Sequence, residues 1–185
     1  DYVAKGLSGA TVVIKLQDES NLISNENTII GNTVLYGATS GNLFASGQAG
    51  ERFAVRNSGA TAVIEGCGSN GCEYMTGGNT IILGEIGDNF AAGMTGGMAF
   101  IYDIKNDFEK KVNPESVIWQ KPETKYWKYF LKNLIQIHVK ETNSKYAQNI
   151  LNNWDNEKLL FWQIVPKEMI NKFDQPVLIK EEKSA

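Results

Sequence analysis

Short apolar runs, separated by polar and glycine-rich segments, dominate the first hundred residues. Each run is a few residues long and mostly valine, isoleucine and alanine, and the runs cover residues 12–14, 62–64, 81–83 and 99–101. Glycines bound the runs, and because each glycine inside a helix would cost about 1 kcal/mol, helices are disfavoured here. Runs of this length and composition predict short β-strands.

The glycines between the runs are regularly spaced, and all eighteen lie between Gly6 and Gly97. Two series recur with a step of about 19 residues, and a fixed period of this size predicts a solenoid, in which each repeat is one coil stacked on the last. Two further glycines occupy equivalent positions in the first and the last of the four repeats. The series are Gly31, Gly50, Gly68 and Gly87, then Gly41, Gly59, Gly78 and Gly97, and the further pair is Gly37 and Gly93. We interpret these ten glycines as structural repeat residues.

The repeat length decides the kind of solenoid. About 19 residues are too few for a strand and a long helix but suffice for two or three short strands joined at glycine corners. The sequence therefore predicts a mainly β fold, a single-stranded parallel β-helix over residues 1–103, with a polar loop inserted at about residues 17–28. Inward positions should stack as ladders of like residues: Val63 over Ile82 over Ile101, and Met75 over Met94.

Residues 104–185 form a different kind of sequence, with all four prolines and no glycine. The helical spacing of apolar residues predicts two helices, at about 124–140 and 144–154, the first capped by Thr124. Residues 161–166 predict a short extended segment ended by proline. The charged end is expected to be prone to disorder. Such a C-terminal α-helical extension would cover the open end of the solenoid.

Charge is modest but uneven. The net charge is −3, with four basic and nine acidic residues up to residue 102 and fourteen basic and twelve acidic residues after it. This balance does not indicate a nucleic-acid-binding surface. No apolar stretch approaches the length that is needed to cross a membrane. The sequence given starts at Asp1, and we expect no signal peptide. We expect a piece of a longer protein, cytoplasmic or in an organelle such as a plastid, and not secreted.

Residues 66–71 match the dinucleotide-binding pattern G-x-G-x-x-G. A dinucleotide site needs a helix to begin at that loop, whereas the sequence here leads to another predicted strand, so the repeat explains these glycines without a ligand. Cys67 and Cys72 lie in the same segment. Two thiols are too few for an iron–sulfur cluster, and without signs of secretion we expect reduced cysteines rather than a disulfide.

The remaining polar residues form no recognisable catalytic or metal-binding pattern, so we predict no catalytic, cofactor-binding or metal-binding residues. His138, the only histidine, is expected to be a packed or helix-capping residue. The charges of the coil are expected to be solvated corners or inter-domain salt bridges: Glu51, Arg52, Arg56, Glu65, Glu73, Glu85 and Asp88. Arg52 and Arg56 are the best candidates for an inter-domain interface, because arginine is favoured at interfaces.

Longer strings of the sequence resemble a known family. They strongly resemble the C-terminal domain of the large (α) subunit of glutamate synthase, the domain of G-x-G-x-G repeats, over nearly the whole chain to about Phe173. The strings are residues 32–41, 50–60, 71–78 and 89–94 of the coil, and 112–115, 138–144 and 161–166 of the extension. The glycine spacing alone is also similar to that of a glycine-repeat subunit of formylmethanofuran dehydrogenase. The polar stretch and Cys67 depart from the glutamate synthase pattern.

The resemblance implies a right-handed β-helix without catalytic residues or cofactor ligands. The parent enzyme would make two glutamates from glutamine and 2-oxoglutarate. Its amidotransferase domain would release ammonia with a terminal cysteine, and its synthase domain, holding FMN and a 3Fe-4S cluster, would reduce 2-iminoglutarate. The implied partners are these two domains of the same parent chain, which the β-helix would hold in register. The sequence does not decide whether NADPH, NADH or ferredoxin supplies the electrons.

Two other functions remain open at this level. The chain could be a freestanding β-helix that binds a protein partner through one coil face, or a subunit similar to the glycine-repeat subunit of formylmethanofuran dehydrogenase. It could instead be an enzyme in its own right that uses the loop at residues 66–71 for a nucleotide. Binding of flavin or nucleotide by the chain would separate the second alternative from a scaffold.

Overall fold

The structure is a computed structural model that describes residues 1–178. The strands are β1 (Ser8–Ile14), β2 (Thr28–Ile30), β3 (Ser40–Ala45), β4 (Gln48–Ala49), β5 (Ser58–Ile64), β6 (Thr76–Ile82), β7 (Gly96–Tyr102), β8 (Val117–Gln120) and β9 (Phe161–Pro166). The helices are α1 (Phe108–Lys111), α2 (Lys125–Thr142), α3 (Lys145–Asn152) and α4 (Trp154–Glu157), with 3-10 turns at Ser24–Glu26, Lys158–Leu160 and Lys167–Met169.

The strands confirm the predicted solenoid of parallel coils, which makes about 4 turns. One sheet has the order β1-β3-β5-β6-β7-β9-β8, and its first five strands are parallel; β2 and β4 form a second, two-stranded sheet. In the large sheet Asn42 pairs with Thr61, Thr61 with Asn79, and Asn79 with Met98. Successive partners lie about 19 residues apart in the chain, so the period of the glycines is also the period of the coil.

The later residues of β3, β5, β6 and β7 are buried on both faces of the sheet, which explains why these strands are continuous apolar runs rather than alternating ones. Ile64, Ile82 and Ile101 stack inside the coil. Val63, Ile81 and Phe100 form the neighbouring ladder on the outer face, under the helices. Methionines Met75 and Met94 are both buried in the inner cluster, as expected.

One predicted ladder is wrong by one residue. Val63 pairs with Ile81 rather than with Ile82, although Ile82 does lie over Ile101. The register shifts between Ser58 and Thr61, where Gly59 and Ala60 together face Gly78. This bulge takes up one residue, so Gly59 and Gly78 lie one position further apart in the chain than the paired residues Thr61 and Asn79 that follow them.

The repeat glycines serve two purposes. A side chain on Gly87 would place its Cβ 2.3 Å from the backbone nitrogen of Ser69, so this glycine lets two coils touch backbone to backbone. Close approach of this kind recurs at Gly31, Gly50, Gly59 and Gly68, whereas φ is positive at Gly37, Gly41, Gly78, Gly93 and Gly97. Both uses were expected for glycine corners.

Many corner residues with positive φ are not glycines, which the sequence interpretation missed. Arg52, Ala54 and Arg56 have φ values of 59°, 58° and 54°, and other coils repeat this pattern at Thr33, Leu35, Asn70, Cys72, Tyr74, Asn89 and Ala91. The amides of Arg52 and Arg56 donate to carbonyls of the next coil, at 2.9 and 3.0 Å, while that of Ala54 donates to the preceding coil, at 2.9 Å. These bonds between coils offset a left-handed backbone that costs about 1–2 kcal/mol per residue.

The helices α2 and α3 confirm the two helices predicted for the extension, with ends shifted by one or two residues. The Thr124 side chain accepts from the amide of Trp127 and so caps α2. Strand β9 confirms the predicted extended segment; it pairs antiparallel with β7, and β8 pairs antiparallel with β9. These two strands cover the edge of the last coil. The division into a coil and an extension near residue 103 stays a prediction, since β8 and β9 continue the sheet of the coil.

The polar loop leaves the coil between β1 and β2, as predicted, although Thr28 already begins β2. The end that was expected to be prone to disorder lies largely in residues 179–185, outside the described residues.

The close contact at Gly78 leads to a stability prediction. Its φ is +82°, and a Cβ there would lie 2.2 Å from the carbonyl oxygen of Ala60. Gly37 has a φ of +64° with nothing within 4 Å of its Cβ position, so Gly37→Val is the matched control. We expect Gly37→Val to lower the free energy of unfolding by about 1–2 kcal/mol. Gly78→Val should lower it by a further 1–3 kcal/mol, roughly, because the coils must also separate. Equal losses in urea unfolding would contradict this account.

Candidate functional site

The predicted interface arginines lie together on one exposed corner of the coil. The Nε atom of Arg52 lies 3.2 Å from Oε2 of Glu73 in the next coil. The guanidinium of Arg56 lies 5.9 Å from the ring centre of Tyr74, whose side chain is 50% exposed. We call these four residues the corner face. It combines arginine with an exposed aromatic ring, a composition that is enriched where proteins bind one another.

The backbone fixes the positions of these side chains. Arg52, Arg56 and Tyr74 all have positive φ, and hydrogen bonds to neighbouring coils hold each amide. Gly93 lies against the Tyr74 ring, since a Cβ there would come within 2.5 Å of it. The corner face is therefore a rigid surface, although its function as an interface stays a prediction.

A buried polar cluster joins the coil to the helical layer. Nε2 of His138, in α2, lies 3.0 Å from Oε1 of Glu65, and Ser144 Oγ donates to the same carboxylate oxygen. All three side chains are buried, and Glu65 and His138 are fully so. Ser144 is also the cap of α3, because its Oγ accepts from the amide of Ala147 at 3.1 Å.

Glu65 corrects one interpretation from the sequence. It was counted among the solvated charges of the coil, yet it lies inside the protein, because α2 and the start of α3 cover the end of β5. His138 is a packed residue, as expected. Nothing in the sequence links it to Glu65, which lies 73 positions away.

The hydroxyl of Tyr146 reinforces this junction. It donates to the carbonyl oxygen of Leu83 at 2.6 Å. Burial, and after it the carboxylate of Glu65, raises the pKa of Tyr146 well above its usual range, so the hydroxyl keeps its proton. The cluster is sealed from solvent and holds helix to coil, which makes it a structural junction rather than an open reaction site.

The two cysteines are buried free thiols. Burial raises the pKa of Cys72 from 9.0 to about 12, and burial followed by the nearby Cys72 raises the pKa of Cys67 even further. The Cys72 sulfur lies 3.3 Å from the hydroxyl oxygen of Thr80. Reactive and metal-binding cysteines need the thiolate form, so both side chains behave here as small apolar core residues.

The glycine loop at residues 66–71 leads through a turn into β6, and not into a helix. It therefore lacks the helix N-terminus that a dinucleotide site requires. An open groove of about 550 Å³ runs beside it, and its wall includes Gly50, Gly68 and Gly87.

Within residues 1–178, no three side chains among histidine, cysteine, aspartate and glutamate come together as metal ligands. In the same part of the chain, no helix combines the length and the apolar character needed to cross a membrane.

Comparison with known proteins identifies relatives over nearly the whole chain. The family model described as GXGXG motif matches residues 1–167. The chain is 61% identical over 185 residues to the glutamate synthase (NADPH) large chain of Azospirillum brasilense, covering 100% of this chain and 12% of that protein. It is 49% identical over 166 residues to ferredoxin-dependent glutamate synthase 2 of Synechocystis sp., covering 90% of this chain and 11% of that protein. It is 43% identical over 187 residues to the glutamate synthase (NADPH) large chain of Bacillus subtilis, covering 100% of this chain and 12% of that protein.

The chain thus spans only 11–12% of the length of these relatives. Identity does not follow the electron donor in their names, since the ferredoxin-dependent protein falls between the two NADPH proteins.

The buried cluster predicts a strong effect on stability. Removing one partner of a buried hydrogen bond leaves the other polar group unsatisfied, which costs about 1–3 kcal/mol. We expect Glu65→Ala to lower the free energy of unfolding by this amount in chemical denaturation. The double variant Glu65→Leu/His138→Leu should recover much of the loss, because it removes both polar groups. Glu85→Ala is the control, since Glu85 pairs with Lys105 at the surface and should leave stability unchanged. A Glu65→Ala variant as stable as the control would contradict the junction.

The thiols predict a loss of stability in alkali. Their pKa values are raised in the folded protein, so the folded state favours the protonated form. This contribution is fully present below the unfolded pKa of about 9 and is lost as the pH rises towards the folded values. Raising the pH from 8 to 10 should lower the free energy of unfolding by about 1.4 kcal/mol for each thiol. We expect the variant Cys67→Ala/Cys72→Ala to lose correspondingly less stability over this interval. Parallel pH profiles for the two proteins would show that the thiols ionise freely when folded.

Proposed function

The chain belongs to the GXGXG motif family, and from this membership we propose that it is the non-catalytic scaffold domain of a glutamate synthase large chain. Its proposed task is to hold an amidotransferase domain and a synthase domain of the same parent chain in register. The parent would form two glutamates from glutamine, 2-oxoglutarate and a reductant. We place it in the cytoplasm or in an organelle such as a plastid.

The observation that carries this proposal is the direct contact between successive coils. At Gly87 the backbones of neighbouring coils leave no room for a Cβ atom, and the sheet from β3 to β7 is packed on both faces. Such a body deforms little when force is applied to it. Stiffness suits an enzyme that passes a small reactive intermediate between two sites, because a misplacement of about 1 Å can lower a rate on the order of 100-fold.

We propose that FMN and the 3Fe-4S cluster are bound elsewhere in the parent chain. A cluster is held by cysteine thiolates, and burial keeps Cys67 and Cys72 protonated. We further propose that the corner face, with Arg52 and Arg56, contacts one of the two catalytic domains. Its exposed Tyr74 ring and its two guanidinium groups support this assignment.

The proposal is tested with the variant Arg52→Glu/Arg56→Glu in the glutamate synthase chain that carries this sequence. Glutamine-dependent glutamate formation should fall on the order of 10-fold or more, because the two catalytic domains lose their register. Glutamine hydrolysis and ammonia-dependent glutamate formation, each confined to one domain, should change little. The variant Lys110→Glu/Lys140→Glu, at two exposed lysines of the extension, is the charge-matched control.

Two results would overturn the proposal that this domain is a non-catalytic scaffold. One is an equal fall in all three activities, which would assign chemistry to this domain. The other is a flavin or iron–sulfur absorption spectrum from the isolated chain of residues 1–185, which we expect to be colourless and to bind neither flavin nor nucleotide.

A further inference from the structure

The outer face of α2 carries lysines and exposed tyrosines. Lys125 and Lys128 are exposed, and the side chains of Tyr126 and Tyr129 are 44% and 72% exposed. We call these four residues the lysine–tyrosine face. The opposite side of the same helix is buried against the sheet through Trp127 and other apolar residues.

The positive charges of this face lie at the unfavourable end of the α2 dipole. The N-terminus of a helix carries a partial positive charge, which favours acidic residues in the first turn. The first turn of α2 contains no acidic residue, and Lys125 and Lys128 both lie at this end. The first carboxylate within the helix is Glu141, in its last turn. Stability of the helix alone does not explain this arrangement.

These lysines also lack local partners. Among residues 1–178, no carboxylate lies within 4.0 Å of the ammonium group of Lys125 or Lys128. Glu123 lies close in sequence, just before the helix cap, but forms no ion pair with either of them in this part of the chain. Two positive charges therefore stand beside two exposed aromatic rings without compensation from the described residues.

We propose that the lysine–tyrosine face binds an acidic protein surface that belongs to the rest of the same parent chain. Tyrosine is enriched in the centres of protein interfaces, and uncompensated lysines at the rim select a partner of opposite charge. Carboxylates of the partner would also complement the N-terminal dipole of α2.

Two observations favour this occupant. The segment makes up only 11–12% of the relatives, so a parent chain of that length offers a large protein surface outside the domain. The acidic coil of the same molecule cannot serve, because α2 packs on the coil with its other side. The inference rests on one part of the proposed function, namely that the domain belongs to a longer chain.

The test uses a carbodiimide, which joins lysine to carboxylate only when the two are in contact, applied to the intact parent chain. Mass spectrometry should find Lys125 or Lys128 linked to aspartate or glutamate outside the domain. A mixture of light and isotope-labelled chains shows whether the link lies within one chain. Links to Glu123 alone, links between two chains, or no link would each overturn the proposal.

A second measurement uses the variant Lys125→Glu/Lys128→Glu in the intact chain. Hydroxyl-radical labelling of Tyr126 and Tyr129 should rise several-fold, because like charges repel the partner surface. The variant Lys110→Glu/Lys140→Glu should leave the labelling unchanged. Since acidic residues suit the start of a helix, the first variant should not melt below the wild type, which separates lost docking from unfolding.

Other outcomes would overturn either this interface or the proposed function. Unchanged labelling in the variant, or binding of the wild type to phosphatidylserine vesicles without any cross-link, would overturn the proposal in favour of a free or a membrane-facing helix. A parent chain that gives the expected cross-links but makes no glutamate would instead refute the proposed function and leave this interface standing.

Discussion

Direct backbone contact between successive coils is the constraint on which the rest of the structure depends. At Gly87 the coils meet with no space for a side chain, and parallel hydrogen bonds fix the register on each side. Because the coils cannot separate or slide, the ladders of isoleucine fill the interior, and the outer face of the sheet becomes a fixed platform for α2. The buried pair of Glu65 and His138 then holds that platform and helix together.

The local sequence predicted the elements but not their finer register. Strands β1, β5, β6, β7 and β9, helices α2 and α3, the Thr124 cap and the coil period follow from short-range patterns, and the structure confirms them. Strand β8 and the short helices α1 and α4 were not predicted. The bulge at Gly59 and Ala60 shifts one ladder, because glycine spacing measures chain length and not strand pairing. The burial of Glu65 depends on α2, a helix that begins far along the chain from it, so no local pattern could reveal it. The left-handed backbone of Arg52 needs partners in adjacent coils, which a single repeat does not show.

The relatives place the same segment in enzymes named for different electron donors. An intermediate identity to the ferredoxin-dependent protein indicates that this segment does not record the choice of donor. That agrees with a domain whose surfaces serve assembly. The two proposed interaction surfaces, the corner face and the lysine–tyrosine face, lie on different elements, one on the coil and one on α2. A rigid body with two separate faces can set the distance between whatever binds them.

The left-handed corners make the stability of the coil uneven along its axis. Each coil holds about three such residues, and hydrogen bonds to the coils on both sides offset their cost. A coil in the middle of the stack has two neighbours, whereas the coil at the β1 edge has one. We therefore expect local opening to begin at that edge, and the slowest amide exchange to belong to the coils nearest β7, whose other side β9 covers. The two ends of the stack therefore differ in kinetic stability, because the β1 edge is open and the β7 edge is covered by β9.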